Sequence, residues 1–248
     1  MKSKLLVFSG AGLSADSGIA TFRDSDGLWA QYDPDKVCHI KTWLDNYELV
    51  HEFYGKRRAE LANVEPNAGH YVLARLQQKY GPERVQIWTQ NIDDLLEQAG
   101  AVEVKHVHGF LSDMTCTGCG DVWSVGYQAD IELYCPTCGC STIKPKVIFF
   151  GEVAPIYGNM MIEFHEARKI GDNTIVVIGT SGNVVPMDWI VGRGTDPAFK
   201  ILVNKEPIAG DMSIYNMCFI STMVEAAENM ELALTDRMEG KLTKEFMY

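Results

Sequence analysis

The chain has 248 residues, 46% of them hydrophobic and 22% charged, which is enough for one sizeable core and too apolar for disorder. Its formal net charge of -11 brings few cations for counterion release, which sets nucleic acid aside as a partner, Lys56-Arg57-Arg58 being only a local basic patch. No apolar run reaches membrane-span length, and neither repeats nor low-complexity segments occur.

The first predicted element is the strand in "KLLVFSG". Its apolar run, Leu5 to Phe8, is only four residues long, shorter than the roughly 7–15 of a signal-peptide core, so the chain reads as cytoplasmic. Gly10-Ala11-Gly12-Leu13-Ser14-Ala15 follows directly and fits G-x-G-x-x-G/A. A strand, a glycine turn and a helix start open a nucleotide-binding βα unit, in which bare backbone N–H groups approach a pyrophosphate. A hydride-transfer dehydrogenase would need an acidic residue closing a second strand some 20 residues on. "ATFRDSDGLW" stands there instead and is not a strand.

Residues 33–66 read as a helical insertion, with apolar residues at helical spacing in "KTWLDNYELVHEFYGKRRAEL". A helix at 68–79 precedes a strand at 85–89. "TQNIDDLLEQAG" leaves that strand at its carboxyl end, where open α/β sheets bind ligands. Asn91 and the acids after it suit a helix cap as well as a site; Gln90 is not explained by a cap. The run "VEVKHVHG" (102–109) is the next strand. His108 at its end is a candidate base by position, and the other five histidines have no such context.

Five of the seven cysteines fall between Thr115 and Cys140. Cys116-x2-Cys119, fifteen residues, then Cys135-x2-Cys138 is zinc-ribbon spacing, and four thiolates close a tetrahedron around a structural zinc with no open position for water. Cys140 is a spare that competes with Cys138 for the fourth place. Cys38 and Cys218 read as buried apolar filler. After the ribbon, about 112–145, come a helix at 159–170 and strands at 174–180, 200–204 and 216–221. The expected fold is α/β: a Rossmann-like parallel sheet with helices on both faces, plus a small lobe made of the ribbon and the helical insertion, with a site in the cleft between them.

"GAGLSADSGIATFR", "TQNID", "HG" after a strand, two CxxC pairs, "VIFFGE", "GTS" and "NKE" occur in the order found in the sirtuin family. The resemblance runs from residue 5 to about 225 and implies one catalytic domain spanning the chain. It implies NAD-dependent removal of acyl groups from lysine side chains of protein or peptide substrates. The acyl oxygen attacks C1′ of the nicotinamide ribose; the activated 2′-hydroxyl then attacks the resulting imidate, giving nicotinamide, 2′-O-acyl-ADP-ribose and free lysine. By resemblance, Gly10, Ala11, Gly12 and Ser14 hold the pyrophosphate, and Phe22 and Arg23 close over NAD. Gln90 contacts the ribose, Asn91 and Asp93 form the nicotinamide pocket, and His108 is the general base. Gly179, Thr180 and Ser181 line the adenosine side; Asn204 and Glu206 hold the adenine ribose, with Ser221 and Thr222 near the adenine. Val147, Phe149, Phe150, Gly151 and Glu152 flank the peptide on one side, Gly182 and Val184 on the other. NAD and zinc are the expected cofactors, and a monomer without nucleic-acid or membrane partners is the expected form.

The stretch Gly18-Ile19-Ala20-Thr21-Phe22-Arg23 and the following "DGLW" resemble the subclass of bacterial and mitochondrial desuccinylases. That subclass grips an acyl carboxylate with Tyr-x-x-Arg, matched here by Tyr54 and Arg57, which share a helix face. Arg58 is expected to be their solvated neighbour and the main rival for that contact. Two other functions share features with this reading: an NAD glycohydrolase or ADP-ribosyltransferase, opposed by an intact peptide groove, and a degenerate NAD-binding or zinc-ribbon adaptor, opposed by the presence of both His108 and Asn91.

Overall fold

The computed structural model describes residues 3–20, 32–192, 194–208 and 210–241. Six parallel strands form the main sheet: β1 (Leu5–Ser9), β2 (Val85–Thr89), β3 (Val104–His106), β7 (Thr174–Ile178), β8 (Phe199–Asn204) and β9 (Met217–Ile220). Their spatial order is β3-β2-β1-β7-β8-β9. A parallel sheet is covered on both faces, so its central strands are apolar at consecutive positions, and every residue of β1, β2 and β7 is buried. Alternation sorts these side chains into two cores. Leu5, Val7, Ile87, Val176 and Ile201 meet helices α4 (Ala68–Tyr80) and α8 (Met223–Met238). Leu6, Phe8, Trp88, Val177 and Leu202 meet α6 (Tyr157–Arg168) and α7 (Met187–Val191) on the other face.

Strand order reverses at β1, which pairs with β2 on one side and β7 on the other, both in parallel. That is the topological switch point, and the loops at the carboxyl ends of β1 and β7 diverge around a crevice there. A single-turn helix, α1 (Gly12–Ala15), follows β1. The two loops touch through bare backbone: a Cβ on Gly12 would lie 2.7 Å from the Gly179 Cα, and Gly179 has φ +58°. Glycine at both positions is what lets the loops close on each other.

The predicted run 102–109 is divided between two sheets. β3 ends at His106, and after Val107-His108 the chain enters β4 (Gly109–Cys116) of a three-stranded antiparallel sheet with β5 (Val122–Ser124) and β6 (Ile143–Val147). An apolar run carries no mark of where a chain changes sheets. The insertion read as helical over 33–66 is helical in two parts, α2 (Pro34–Val37) and α3 (Tyr47–Leu61), with turns between them. Helix α5 (Leu95–Gln98) is a single turn after β2.

Helix α3 joins the two parts of the small lobe. Its Tyr47 hydroxyl donates to the Ser141 carbonyl at 2.9 Å and accepts from the Ile143 N–H at 3.3 Å. His51 Nε2 donates to the Ile143 carbonyl at 3.1 Å. Arg58 is not solvated, contrary to expectation: it is 0% exposed and its Nε donates to the Gln128 carbonyl at 2.8 Å. Helical phase decides this, because neighbouring residues point about 100° apart. Gly55 lies between His51 and Arg58 against the same partner, and a Cβ there would come within 2.3 Å of the Ala129 oxygen. Gly55→Ala therefore gains about 1 kcal/mol of helix propensity and loses about 1–3 kcal/mol to overpacking against backbone. A lowered melting temperature is the expected outcome in a thermal scan. Gly158→Ala, in α6 with nothing within 4 Å, is expected to raise it.

Candidate functional site

A cleft of about 840 Å³ opens at the switch point and runs toward the small lobe, a size that suits a cofactor-sized ligand. Gly10, Ala11, Gly12, Gly179, Thr180 and Ser181 form its rim over the sheet. Gln90, Asn91 and His108 line one end, and Asn204, Glu206, Ser221 and Thr222 the other. Tyr54, Val147, Phe149, Phe150, Gly151, Glu152 and Val184 also line it. Ser14, Asp93, Arg57 and Gly182 are not part of this lining. Phe22 and Arg23 lie outside the described residues.

Ser14 stands behind the wall, 1% exposed. Its hydroxyl donates to Asp93 Oδ2 at 2.9 Å and accepts from Asn91 Nδ2 at 3.0 Å. His70 Nε2 lies 3.3 Å away. His70 Nδ1 accepts from the Asn67 N–H at 3.1 Å, closing a capping box at the start of α4, so in the neutral ring Nε2 carries the proton and donates to Ser14. Burial brings the His70 pKa down to about 4, which keeps that tautomer at neutral pH. Burial also pushes the Asp93 carboxyl up to about 6, opposed by its bonds from Ser14 and the Leu95 N–H. Asn67 completes the arrangement by donating to the Leu13 carbonyl at 2.7 Å, which fixes the turn carrying Ser14. Ser14 thereby orients both Asn91 and Asp93.

His108 is held by its backbone-facing nitrogen: Nδ1 donates to the Gln90 carbonyl at 3.1 Å. Nε2 therefore carries the lone pair in the neutral ring, and the Tyr157 hydroxyl donates to it at 2.6 Å. Burial lowers the pKa of His108, against the raising effect of the Gln90 bond. Gln90 in turn donates from Nε2 to Thr180 Oγ1 at 3.0 Å, linking the β2 and β7 loops across the crevice. The Thr222 hydroxyl caps α8, accepting from the Glu225 N–H at 3.3 Å.

Glu152 accepts from Lys144 Nζ at 2.6 Å and from the Phe149 N–H at 2.9 Å. Its carboxylate thus fixes the turn that presents Phe150 and Gly151. Lys144 is 6% exposed and lies over the Phe149 ring at 4.1 Å; the sequence reading passed over it, as it did His70, His106 and Tyr157. Only Asn67-x-x-His70 carried a local signal, that of a capping box. Tyr54 is buried and stacks on Phe149 at 5.9 Å. Arg57 gives Nη2 to Glu60 at 2.6 Å and lies over the Phe53 ring at 5.4 Å, while its Nε and Nη1 are buried without a hydrogen-bond partner among the described residues. Cys38 also lines the cleft; its Sγ donates to the Pro34 carbonyl at 3.3 Å, and burial together with Asp35 and Asp33 pushes its pKa up to about 12.

In the ribbon, the Sγ atoms of Cys116, Cys119, Cys135 and Cys138 all lie within 4.8 Å of one another. Cys116–Cys138 and Cys119–Cys135 are 3.6 and 3.7 Å apart. A tetrahedral zinc with bonds of about 2.3 Å requires sulfurs about 3.8 Å apart, so the four fit the ion. Cys140 is outside this group, with Sγ 3.4 Å from the Thr142 N–H.

A model of the Sir2 family matches residues 10–186. An NAD-dependent protein deacylase of Helicobacter hepaticus is 41% identical over 250 residues, covering 93% of this chain and 97% of the relative. One from Mycobacterium tuberculosis is 40% identical over 214 residues, covering 82% and 86%. Among solved structures, a Sir2 homolog–NAD complex superposes with a TM-score of 0.81 at 30% identity, covering 96% of this chain and 91% of that one. A mutant Sir2 homologue bound to ADP-ribose gives 0.83 at 29% identity, covering 98% and 96%.

Two outcomes are expected. Ser14→Ala strands Asn91 Nδ2, His70 Nε2–H and Asp93 Oδ2, each at a cost of about 1–3 kcal/mol, so denaturant titration should show a loss of roughly 3 kcal/mol or more. In metal analysis, Cys138→Ser loses the zinc and Cys140→Ser retains one equivalent.

Proposed function

The chain belongs to the Sir2 family and is an NAD-dependent protein-lysine deacylase; we propose that His108 is its general base and that it removes succinyl and malonyl as well as acetyl groups. Bound NAD supplies a ribose carbon with nicotinamide as its leaving group, and a ribose hydroxyl that ends up carrying the acyl group. The residues that suit it are the glycine rim at Gly10–Gly12 and Gly179, with Asn91 and Gln90 at the nicotinamide end and Asn204 and Glu206 at the other.

His108 is built to take a proton. Its Nδ1–H is committed to the Gln90 carbonyl, which fixes the tautomer and leaves the lone pair on Nε2, where the Tyr157 hydroxyl donates to it. Burial favours the neutral ring, the form a general base needs. Asn91, oriented through Ser14, and the Asp93 carboxyl behind it shape the pocket beside that base. Phe150 and Val184 stand exposed on either side of the cleft, suited to an extended peptide carrying the acyl-lysine.

The observation that carries the acyl preference is Arg57. Among the described residues, Nε and Nη1 of its guanidinium are buried with no acceptor, the group lies over the Phe53 ring at 5.4 Å, and Arg57 stands one helical turn from Tyr54, which lines the cleft. Buried unpaired donors are costly, and a carboxylate at the tip of an acyl chain would satisfy them.

The test compares acetyl-lysine and succinyl-lysine forms of one peptide, with NAD. Wild type is expected to remove both. Arg57→Met should lose about 10- to 100-fold in desuccinylation and keep deacetylation within a few fold. Wild type that leaves succinyl-lysine intact would remove the carboxylate reading and spare the deacylase. NAD consumption without peptide deacylation would point instead to a glycohydrolase. Run across pH, the same assay should show kcat/KM rising through a value below the ordinary histidine pKa of 6.5, then flat while His108 stays neutral.

A further inference from the structure

The segment from Gln90 to Gln98 carries Asn91 and Asp93 from the end of β2 into α5. One side chain outside the cleft holds it at both ends. His106, the last residue of β3, places Nδ1 2.8 Å from the Asn91 carbonyl and Nε2 2.8 Å from the Glu97 carboxylate. A carbonyl and a carboxylate only accept, so both contacts are hydrogen bonds when the ring carries two protons. The side chain is 11% exposed and packs edge-on against Phe110 at 4.8 Å. His106 is not among the residues lining the cleft, and its contact with the site is the Asn91 backbone.

We propose that His106 is a positioning residue: as an imidazolium it clamps the Asn91 carbonyl to Glu97 and so sets the shape of the pocket that receives nicotinamide. This rests on the reading above that Asn91 and Asp93 form that pocket. A residue serving only the fold would affect NAD and peptide alike. A clamp on this one segment affects NAD and nicotinamide, because the peptide side of the cleft is built from β6, the Phe149–Glu152 turn and the loop after β7.

The charges facing the ring are Glu97 from α5, Asp93 from the intervening loop and Asp113 from β4, all acidic. On its own strand, Lys105 pairs with Glu103. Burial alone would lower the pKa of His106; Glu97 and the other acceptors outweigh it and raise the value. The clamp is thus complete at lower pH and loses its Glu97 arm as pH rises through that raised value, while the Nδ1–H bond to Asn91 persists.

The experiment measures KM for NAD, KM for an acetyl-lysine peptide and the nicotinamide inhibition constant from about pH 6 to 9. The proteins are wild type, His106→Ala, His106→Asn and Glu97→Gln, each with a melting curve. His106→Ala is expected to raise both the NAD KM and the nicotinamide constant by about five- to ten-fold, with peptide KM within about two-fold. His106→Asn, whose amide N–H stands in for Nδ1, should recover most of that loss. Wild type should show an NAD KM that climbs at alkaline pH, and Glu97→Gln a raised, flat one. If His106→Ala fails to fold, Glu97→Gln, altered at a part-exposed side chain, still carries the test. The proposal is overturned if the Asn variant is no better than the Ala variant, if peptide KM rises in step with NAD KM, or if Glu97→Gln tracks wild type across pH. A His108→Ala enzyme that deacylated normally would instead sink the underlying reading of the site.

Discussion

Ser14 has one proton to give and two lone pairs to offer, and all three are committed inside the protein. The rest of the cleft floor depends on that closed set. Asn91 cannot turn its amide without stranding Ser14; Asp93 cannot leave without freeing the hydroxyl proton; His70 cannot change tautomer without breaking the cap of α4. Apolar packing alone would leave each of these side chains free to choose among rotamers. A saturated hydrogen-bond hub in a low-dielectric interior leaves them one arrangement.

That hub could not sit at the switch point if the loops around it stood apart. Gly12 and Gly179 let the ends of β1 and β7 meet backbone to backbone, and Gln90 ties β2 to the same place through Thr180. Three neighbouring strands thus end in loops bonded to one another. The sheet is rigid because both faces are buried, and the loops inherit its rigidity. The groups that line the cleft beyond this frame include His108 with its Tyr157 partner, the wall around Tyr54 and the turn at Phe150.

Much of this was legible in the sequence where the signal is local. Buried parallel strands are continuous apolar runs, and "VQIWT" and "TIVVIGT" read as such. Cys-x2-Cys pairs at ribbon spacing announced the metal site, because two residues are what a shared ion needs. Legibility ended where the partner is far along the chain. Ser14 and His70 are 56 residues apart, and nothing in either neighbourhood points to the other. His106 carried no local signal because its partners, the Asn91 carbonyl and Glu97, lie on a different element. The run "VEVKHVHG" concealed a change of sheet, since both halves are apolar in the same way. Cys140 and Cys138 could be told apart only once the fold placed one sulfur among the other three and turned the second toward Thr142.

Helix α3 holds two arginines side by side with unrelated duties. Arg58 is locked into the carbonyls of the ribbon lobe, and Arg57, about 100° around the helix, has two nitrogens without an acceptor among the described residues. Neighbouring positions therefore answer to different constraints. A change at position 57 leaves the bonds to the lobe in place, whereas a change at position 58 breaks them. Such a helix can vary one of its arginines without loosening the joint that the other makes.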